Sequence, residues 1–249
     1  MSERVTDRIF GRNPVYETLR AGRRSVARIR VAKGVEVAES LERILTEARE
    51  RGVSIQAVPR SELDRESDHH QGIAADVGPY PYVTLYDILD AGRERGEAPF
   101  LLLLDALENP QNLGTLLRTA EAVGVHGVII PPKRAAQVTH SVVSASSGAC
   151  EHLLIAQENI ARTAAALKQE DVWIAGLEHR PESQLLGTVD LGGPLAIVVG
   201  SEGRGMRRLV RETCDFLIKL PMRGRVDSLN AAVAGSICLY AAWDARREG

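Results

Sequence analysis

The carboxyl-terminal part of the chain alternates short, fully apolar runs with segments of helical periodicity, and this alternation restricts its fold most. The apolar runs include FLLLLD from Phe100 and LAIVVG from Leu195, and helical patterns such as NLGTLLRTAEAVG lie between such runs. Strands without polar alternation are buried on both faces, which is typical of a parallel sheet covered by helices. The sequence therefore predicts an α/β fold in which ligands bind at the carboxyl ends of the strands.

The first 78 residues predict a smaller α/β unit. Asn13-Pro14 is typical of a helix start with Asn13 as the cap, and this helix is expected to end at Gly22. Residues 36–51 have apolar side chains at helical spacing, between two strand-like segments, which predicts a β-α-β crossover. Proline and glycine are frequent from Gly78 to Pro99. We therefore predict an amino-terminal domain at 1–78, a linker at 79–98 and a catalytic domain at 99–249.

Composition excludes several classes of protein. The apolar runs are far shorter than the ~20 residues that cross a bilayer, and the polar start MSERVTDRIF lacks an apolar signal core, so we expect a cytoplasmic protein without a membrane span. Cys150, Cys214 and Cys238 are widely spaced, with no histidine at ligand spacing, which indicates small buried side chains and no metal site.

The net charge of −2 conceals local excesses of arginine. Residues 1–30 contain eight arginines against Glu3, Asp7 and Glu17, and residues 200–225 are also rich in arginine. Such asymmetry is typical of a localised phosphate-binding surface, and equally of a solvated face.

Three loops after predicted strands contain candidate site residues. In the first, Asn112 lies at a helix start and Arg118 lies off the buried stripe of the helix; a cap and a surface arginine are the ordinary alternatives. The absence of G-x-G-x-x-G there disfavours a dinucleotide site. The second loop, GSEGRGM, has three glycines and Glu202, but no G-K-[ST] typical of an NTPase.

In the third loop, LPMRGRVDSLNAAVAG, Ser228 and Asn230 flank the start of the last helix, predicted from about Leu229, where capping is the ordinary alternative. The small residues Ala231, Ala234, Gly235 and Cys238 favour close helix packing.

Together, NPQNLGTLLRTAEAVGVHGV, VVGSEGRGM and LPMRGRVDSLNAAVAG resemble, in order and spacing, the three motifs of SpoU-type (TrmH-like) RNA ribose 2′-O-methyltransferases of the SPOUT class. GRNPVYETLRAG and HHQGIAADV resemble the amino-terminal RNA-binding domain of the members that methylate ribosomal-RNA guanosines, and SSGACEHL resembles a further stretch of their catalytic domain. The resemblance covers nearly the whole chain.

The resemblance implies S-adenosylmethionine as methyl donor, a trefoil knot at the carboxyl end, a homodimer, and a guanosine ribose of large-subunit ribosomal RNA as acceptor. Ribose methylation of transfer RNA and a non-catalytic RNA-binding protein are alternatives, and a nucleotide-dependent enzyme using GSEGRGM as a phosphate loop is a third. The family's functional residues correspond to Asn112, Arg118, Glu202, Ser228 and Asn230, and its cofactor contacts to Gly200, Leu220, Met222 and Leu229.

For Arg118 the resemblance allows two roles, general base or stabiliser of the developing alkoxide. Because a guanidinium strongly resists deprotonation, we favour the second role. One departure from the family is SLNAA in place of S-L-N-V-S, so that Ala232 lacks a hydroxyl in the region of cofactor or dimer contacts.

Overall fold

The computed structural model describes residues 7–225 and 228–248 and divides the chain into two compact units. The first unit comprises the chain up to Pro81 together with Val138–His152, and the second comprises Tyr82–Gln137 and the chain from Leu153 onward. Among the described residues, no helix has both the length and the hydrophobicity that crossing a membrane requires.

The first unit is built on a four-stranded sheet in the order β1-β4-β2-β3. Its elements are β1 (Asp7–Phe10), α1 (Arg12–Ala21), β2 (Val26–Ala32), α2 (Glu39–Glu50), β3 (Ser54–Val58), α3 (Arg60–Asp64), β4 (Ile73–Val77), α6 (His140–Ala145) and a 3₁₀ turn (Ala149–His152). Strands β2 and β3 are parallel with α2 between them, which confirms the predicted crossover, whereas β4 pairs antiparallel with both β1 and β2.

Helix α1 begins earlier than its sequence suggested. Its N-cap is Gly11, at φ 94°, and no side chain caps it, so the expectation that Asn13 is the cap was wrong. The amide of Arg12 instead donates to Oε1 of Gln71, 2.9 Å away, and Asn13 lies inside the first turn. The helix ends at Gly22, as predicted, because this residue adopts the left-handed conformation and its amide donates to Thr18 O.

Residues Val138–His152 belong to the first unit through buried contacts, although the sequence assigned them to the catalytic domain. The hydroxyl of Tyr80 donates to the carbonyl of Cys150 at 2.8 Å, and the buried side chains of Arg24 and Glu151 form an ion pair at 2.9 Å. The Arg24 guanidinium also lies 4.8 Å from the centre of the Tyr80 ring. The segment that resembles part of a catalytic domain therefore packs on the amino-terminal unit.

Several arginines of the first thirty residues are paired with acids. The fully buried carboxylate of Asp76 accepts from Nε of Arg8 at 2.7 Å and from Nε of Arg28 at 2.5 Å. Arg30, itself buried, pairs with Glu66 at 2.8 Å. These three arginines are thus neutralised within the fold, and the phosphate-binding interpretation of the local arginine excess does not extend to them.

The second unit contains a seven-stranded sheet in the order β7-β6-β5-β10-β8-β11-β9, and every pair of neighbouring strands is parallel, as predicted. Its elements are α4 (Leu85–Arg95), β5 (Phe100–Leu104), α5 (Pro110–Ala122), β6 (Gly127–Ile130), β7 (Leu154–Gln157), α7 (Ile160–Lys168), β8 (Trp173–Leu177), β9 (Gln184–Leu185), β10 (Leu195–Val199), α8 (Arg208–Thr213), β11 (Phe216–Lys219) and α9 (Ala231–Glu248). Strands β5, β6 and β10 are buried along their whole length.

The segment 79–98, predicted as a linker, contains helix α4. Thr84 caps this helix in a reciprocal capping box with Asp87, and Ile88 and Leu89 are buried in the core of the second unit. The amide of Val83 donates to Ile155 O at 3.0 Å, so the chain joins this unit from Tyr82 onward. The functional division into domains stays a prediction.

The cysteines are free thiols, and Cys150 and Cys238 are fully buried, as expected of small core side chains. Burial raises the pKa of each thiol, including that of the partly buried Cys214, to about 12.

Candidate functional site

A cavity of about 650 Å³ lies in the second unit beyond the carboxyl ends of β8, β10 and β11. Seven of the nine residues singled out in the sequence line it: Gly200, Glu202, Leu220, Met222, Ser228, Leu229 and Asn230. Leu177, Glu178, Arg180, Val199, Arg204, Lys219 and Ala234 are further lining residues. Since parallel strands end at one edge of a sheet, loops far apart in sequence meet here.

The glycine-rich loop after β10 folds into a tight hairpin beside the cavity. Ser201 and Gly205 exchange two backbone hydrogen bonds, of 3.1 and 3.0 Å, around Gly203 at φ 73°. At Gly200 a Cβ atom would collide with the backbone of Gly205 and Met206, so only glycine allows this close approach.

An ion pair fixes the end of that hairpin to the neighbouring strand. Asp105, fully buried directly after β5, accepts from the Arg207 amide and from its Nε, both at 2.7 Å. This pair holds the second loop against the first, and it was not predicted from the sequence. The signal was present, because Asp105 is a charged residue directly after an apolar strand.

Asn112, Glu202 and Asn230, one from each predicted loop, form a hydrogen-bonded trio. Nδ2 of Asn112 donates to Oε1 of Glu202 at 2.6 Å, and Nδ2 of Asn230 donates to Oδ1 of Asn112 at 3.1 Å. Asn230 also donates to the same Glu202 oxygen. The structure therefore brings these three candidates into direct contact.

Asn112 is free for this role because another residue caps α5. The side chain of Asn109 accepts from the amides of Gln111 and Asn112, at 2.8 and 3.4 Å, so the ordinary interpretation of Asn112 as the cap was wrong. Asn112 is 8% exposed. A side-chain amide that is buried to this extent requires hydrogen-bond partners, and Glu202 and Asn230 provide them.

Asn230 is both a cap and a member of the trio. Its Oδ1 accepts from the amides of Ala232 and Val233, at 2.8 and 3.2 Å, and α9 therefore begins at Ala231, two residues later than expected. Ser228 and Leu229 are exposed at the cavity, whereas Val226 and Asp227 of the third loop lie outside the described residues.

Arg118 lies apart from the trio. It is exposed on α5, six residues after Asn112, which separates the two by about 9 Å along the axis and about 120° around it. Neither Arg118 nor Asn112 is among the residues that line the cavity. Asn112 is connected to the cavity through its hydrogen bonds to the lining residues Glu202 and Asn230.

Helix α9 packs closely on α5, as its small residues indicated. A Cβ atom on Gly235 would lie 2.7 Å from Cδ2 of Leu116, and Thr119 and Ser236 share a 2.8 Å hydrogen bond between hydroxyls. Ala232 is buried, and its own amide bonds to Asn230. The opposite face of α9 leaves Val233, Ile237 and Tyr240 between 42 and 50% exposed.

The cavity residues fit a ligand with apolar, polar and cationic parts. Leu177, Val199, Leu220 and Met222 provide apolar walls, while Glu178 and Glu202 place carboxylates at the same cavity. Its volume is within the range of about 300–1,000 Å³ for small-molecule sites. The described residues contain no cluster of three or more histidine, cysteine, aspartate or glutamate side chains placed to hold a metal ion.

Two family descriptions match the sequence. The SpoU rRNA methylase family matches residues 99–240, and the substrate-binding domain of RNA 2′-O-ribose methyltransferases matches residues 8–83. A Bacillus subtilis protein assigned to the TrmH family of tRNA/rRNA methyltransferases is 44% identical over 236 residues, 94% of either chain. A Staphylococcus aureus protein with the same family assignment is 40% identical, over 96% of either chain.

The fold is shared with solved structures. The SpoU methyltransferase AviRb from Streptomyces viridochromogenes, in complex with S-adenosylmethionine, superposes with a TM-score of 0.78 at 23% identity, over 97% of this chain and 91% of that one. A TrmH/SpoU tRNA-modifying enzyme of A. aeolicus covers 67% of this chain and 86% of its own, with a TM-score of 0.54 and 27% identity.

Proposed function

The chain belongs to the SpoU rRNA methylase family, and from that premise we propose that it methylates a ribose 2′-oxygen of large-subunit ribosomal RNA, a guanosine being the acceptor, with S-adenosylmethionine as donor. The observation that carries the proposal is the trio of Asn112, Glu202 and Asn230, which links three separate loops at the edge of a cavity. Hydrogen-bonded side chains around a small-molecule cavity are the arrangement that orients reacting groups.

The cofactor fits the cavity by the chemistry of its lining. Gly200, Leu220, Met222 and Leu229 would hold S-adenosylmethionine through the apolar side chains and the loop backbone that line the cavity. When bound, this cofactor supplies a methyl group that its sulfonium makes electrophilic. The carboxylate of Glu202, fixed by two amide side chains, favours a cationic ligand in the same cavity.

The acceptor requires a second set of interactions, because a ribose hydroxyl must lose its proton as it accepts the methyl group. We assign the stabilisation of the developing alkoxide and of a nearby phosphate to Arg118, which is exposed and able to reach RNA. Asn112 and Asn230 position Glu202 through the hydrogen bonds described above, and Ser228 supports the mouth of the cavity.

The proposal includes a division of labour between the two parts of the chain. Residues 8–83, which match a substrate-binding domain, bind the RNA, and the parallel-sheet domain performs the transfer. The chain acts as a homodimer in which a second copy covers Val233, Ile237 and Tyr240 of α9. The trefoil knot that the family resemblance implies belongs to the same proposal.

A transfer RNA is the second candidate substrate. The observation in its favour is that the relatives sharing 40 to 44% of their residues with this chain are assigned to a family of tRNA/rRNA methyltransferases. The chemistry at the ribose is the same, so the two substrates are distinguished by mapping the 2′-O-methyl group in RNA from cells that lack the protein.

Replacement of Arg118 by alanine tests the assignment. Methyl transfer is expected to fall by about a hundredfold or more, the scale for loss of one preorganised charge stabiliser. Affinity for S-adenosylmethionine, measured by calorimetric titration, is expected to stay unchanged, because Arg118 does not line the cavity. Turnover within threefold of the parent protein would remove Arg118 from the mechanism.

The same calorimetric titration distinguishes a methyltransferase from a nucleotide-dependent enzyme and from a non-catalytic RNA-binding protein. S-adenosylhomocysteine should bind and ATP or NAD should not, whereas the opposite preference would indicate a nucleotide-dependent enzyme. If the protein binds RNA but binds neither S-adenosylmethionine nor S-adenosylhomocysteine, it is a non-catalytic RNA-binding protein.

A further inference from the structure

A second, smaller cavity lies at the same edge of the sheet as the site described above, but beyond β6 and β7. Its volume is about 410 Å³, and Tyr86, Pro132, Asn159 and Arg162 are among the residues that line it. Strands β6 and β7 are two and three positions from β10 in the sheet order. Neighbouring strands lie about 4.8 Å apart, so about 10–15 Å separates β6 and β7 from β10, the nearest strand of the first cavity.

An exposed aromatic ring forms one wall of this cavity. Tyr86 is 66% exposed, although it lies in the first turn of α4, a helix whose next turn is buried. That first turn is held firmly, because Thr84 and Asp87 form a capping box and Oε1 of Glu158 accepts from the Leu85 amide at 2.9 Å. The ring is therefore presented to solvent from a rigid support.

Three exposed cations lie at this cavity or next to it: Arg162 lines it, and Lys133 and Arg134 directly follow the lining residue Pro132 in the chain. Within residues 7–225 and 228–248, none of the three forms an ion pair with a carboxylate within 4 Å. The one acidic residue of the cavity lining, Glu158, has one oxygen bonded to the Leu85 amide and the other to the Thr163 hydroxyl at 3.1 Å.

The loop that presents two of these cations is fixed by hydrogen bonds. Nε2 of Gln137 donates to the carbonyls of Pro131 and Ala135, both at 3.0 Å, and the Ala136 amide donates to Leu107 O at 2.8 Å. Arg134 itself is held in the left-handed conformation, at φ 57°. The backbone that presents Lys133 and Arg134 therefore needs little further ordering to bind a ligand.

We propose that Tyr86, Lys133, Arg134 and Arg162, here called the Tyr86 surface, bind the RNA strand that adjoins the nucleotide undergoing modification. The cations contact its phosphates, and an unpaired base stacks on the tyrosine ring. Single-stranded RNA is recognised by this combination of basic side chains with an aromatic platform. An RNA strand of a few nucleotides spans such a distance. The proposal rests on the proposed function and adds to the substrate-binding domain a contact surface on the catalytic unit.

The test compares charge-neutral variants of the full-length protein. The first carries Lys133→Gln, Arg134→Asn and Arg162→Gln; asparagine is chosen because it tolerates the left-handed conformation of Arg134. The matched control is Arg95→Gln, an exposed arginine of α4 that, within the described part of the chain, forms no ion pair within 4 Å. Arg95 follows Gly92 in α4, and Gly92 lies beside His126 at the amino-terminal ends of the strands. The control is therefore at the edge of the sheet opposite to the Tyr86 surface.

Binding to deproteinised large-subunit ribosomal RNA is measured over a series of salt concentrations. Losing three phosphate contacts on a single strand should make the slope of log K against log salt shallower by about 2, and the control should keep the slope of the parent protein. Tyr86→Ala should weaken binding about tenfold, while Tyr86→Phe, which keeps the ring, should bind like the parent.

A triple variant with the affinity and salt slope of the control would overturn the proposal, as would equal loss of binding in Tyr86→Phe and Tyr86→Ala. Affinity for S-adenosylmethionine, measured on every variant, should not change and verifies that the fold is intact. If the parent binds RNA in the expected salt-dependent way but leaves the ribose unmethylated, the proposed function fails while these binding measurements still decide the role of the Tyr86 surface.

Discussion

Single polar residues decide how the loops of the second unit meet. Asn109 caps α5 and thereby leaves the Asn112 side chain to bond with Glu202 and Asn230. Asp105 anchors the hairpin of the second loop through Arg207. Each of these groups lies at the end of a strand or the start of a helix, where backbone amides need partners and side chains can supply them.

In the first unit, the buried Asp76 is the polar residue that holds several arginine side chains together. Burial by itself would raise the pKa of its carboxyl, but hydrogen bonds from Arg8 and Arg28 and the charge of Arg30 hold that pKa below its usual value. A carboxyl with a depressed pKa in the folded state contributes stability above its unfolded pKa of about 3.9 and loses it as the pH falls below that value.

Asp76→Asn should therefore lower the free energy of unfolding at neutral pH by about 3 kcal/mol or more, because it leaves the arginines without their shared carboxylate. The variant should also lose part of the acid sensitivity of the parent protein below about pH 4. Calorimetric unfolding from neutral to acidic pH measures both effects. Asp90→Asn, at an exposed ion pair, is the control and should change stability by less than about 1 kcal/mol. Equal effects of the two substitutions would contradict this account of Asp76.

The sequence singled out Asn112, Glu202 and Asn230 but did not predict what each one bonds, and it did not single out Asp105. Glu202 and Asn230 were recognisable because they follow an apolar strand or precede a helix. The bonds between them depend on strand order, which local pattern does not determine. The pairing of Arg8, Arg28 and Arg30 with acids likewise depends on contacts between distant residues, and net charge along the chain concealed it.

Among the elements, α9 combines two environments. Its Gly235 face packs on α5, while Val233, Ile237 and Tyr240 are exposed on one stripe spaced by four and three residues. Such a stripe on a helix otherwise well packed is typical of a face that a partner covers.

Ile237→Arg should consequently convert the proposed dimer to a monomer, because the interface would have to bury an unpaired charge. The dissociation constant should rise by more than about a hundredfold, as measured by sedimentation equilibrium. Leu209→Arg, which replaces an exposed leucine of α8, is the matched control and should leave the dimer intact. A parent protein that is monomeric at micromolar concentration would contradict the proposed assembly.

Elements with strong periodicity were predicted well, and elements that depend on tertiary contacts were not. The apolar strands and α5 correspond closely to their predicted ranges, since burial on both faces leaves a clear pattern. Helix α4 was hidden by the neighbouring proline and glycine residues, although Leu85, Ile88 and Leu89 give it a buried face. Strand β1 has four residues of mixed polarity, DRIF, and therefore forms no apolar run that would mark it as a strand.

At the scale of the whole molecule, the two units interleave along the chain. Val138–His152 leaves the second unit, packs with the first and returns at Leu153. A pattern read along the sequence assigns such a segment to its sequence neighbours, whereas its contacts in the fold, such as those of Cys150, Glu151 and His152, reveal its place.

The central claim, that a ribose hydroxyl accepts the methyl group, is tested most directly with RNA that lacks that hydroxyl at one position. The acceptor nucleotide is first mapped in RNA methylated by the parent protein, and the same RNA is then prepared with a single 2′-deoxy nucleotide there. It should bind nearly as well as the unmodified RNA, since one hydroxyl contributes little to a phosphate-dominated interface, and it should receive no methyl group. Methylation at that nucleotide at the parent rate would identify a base atom as the acceptor and contradict the proposed function.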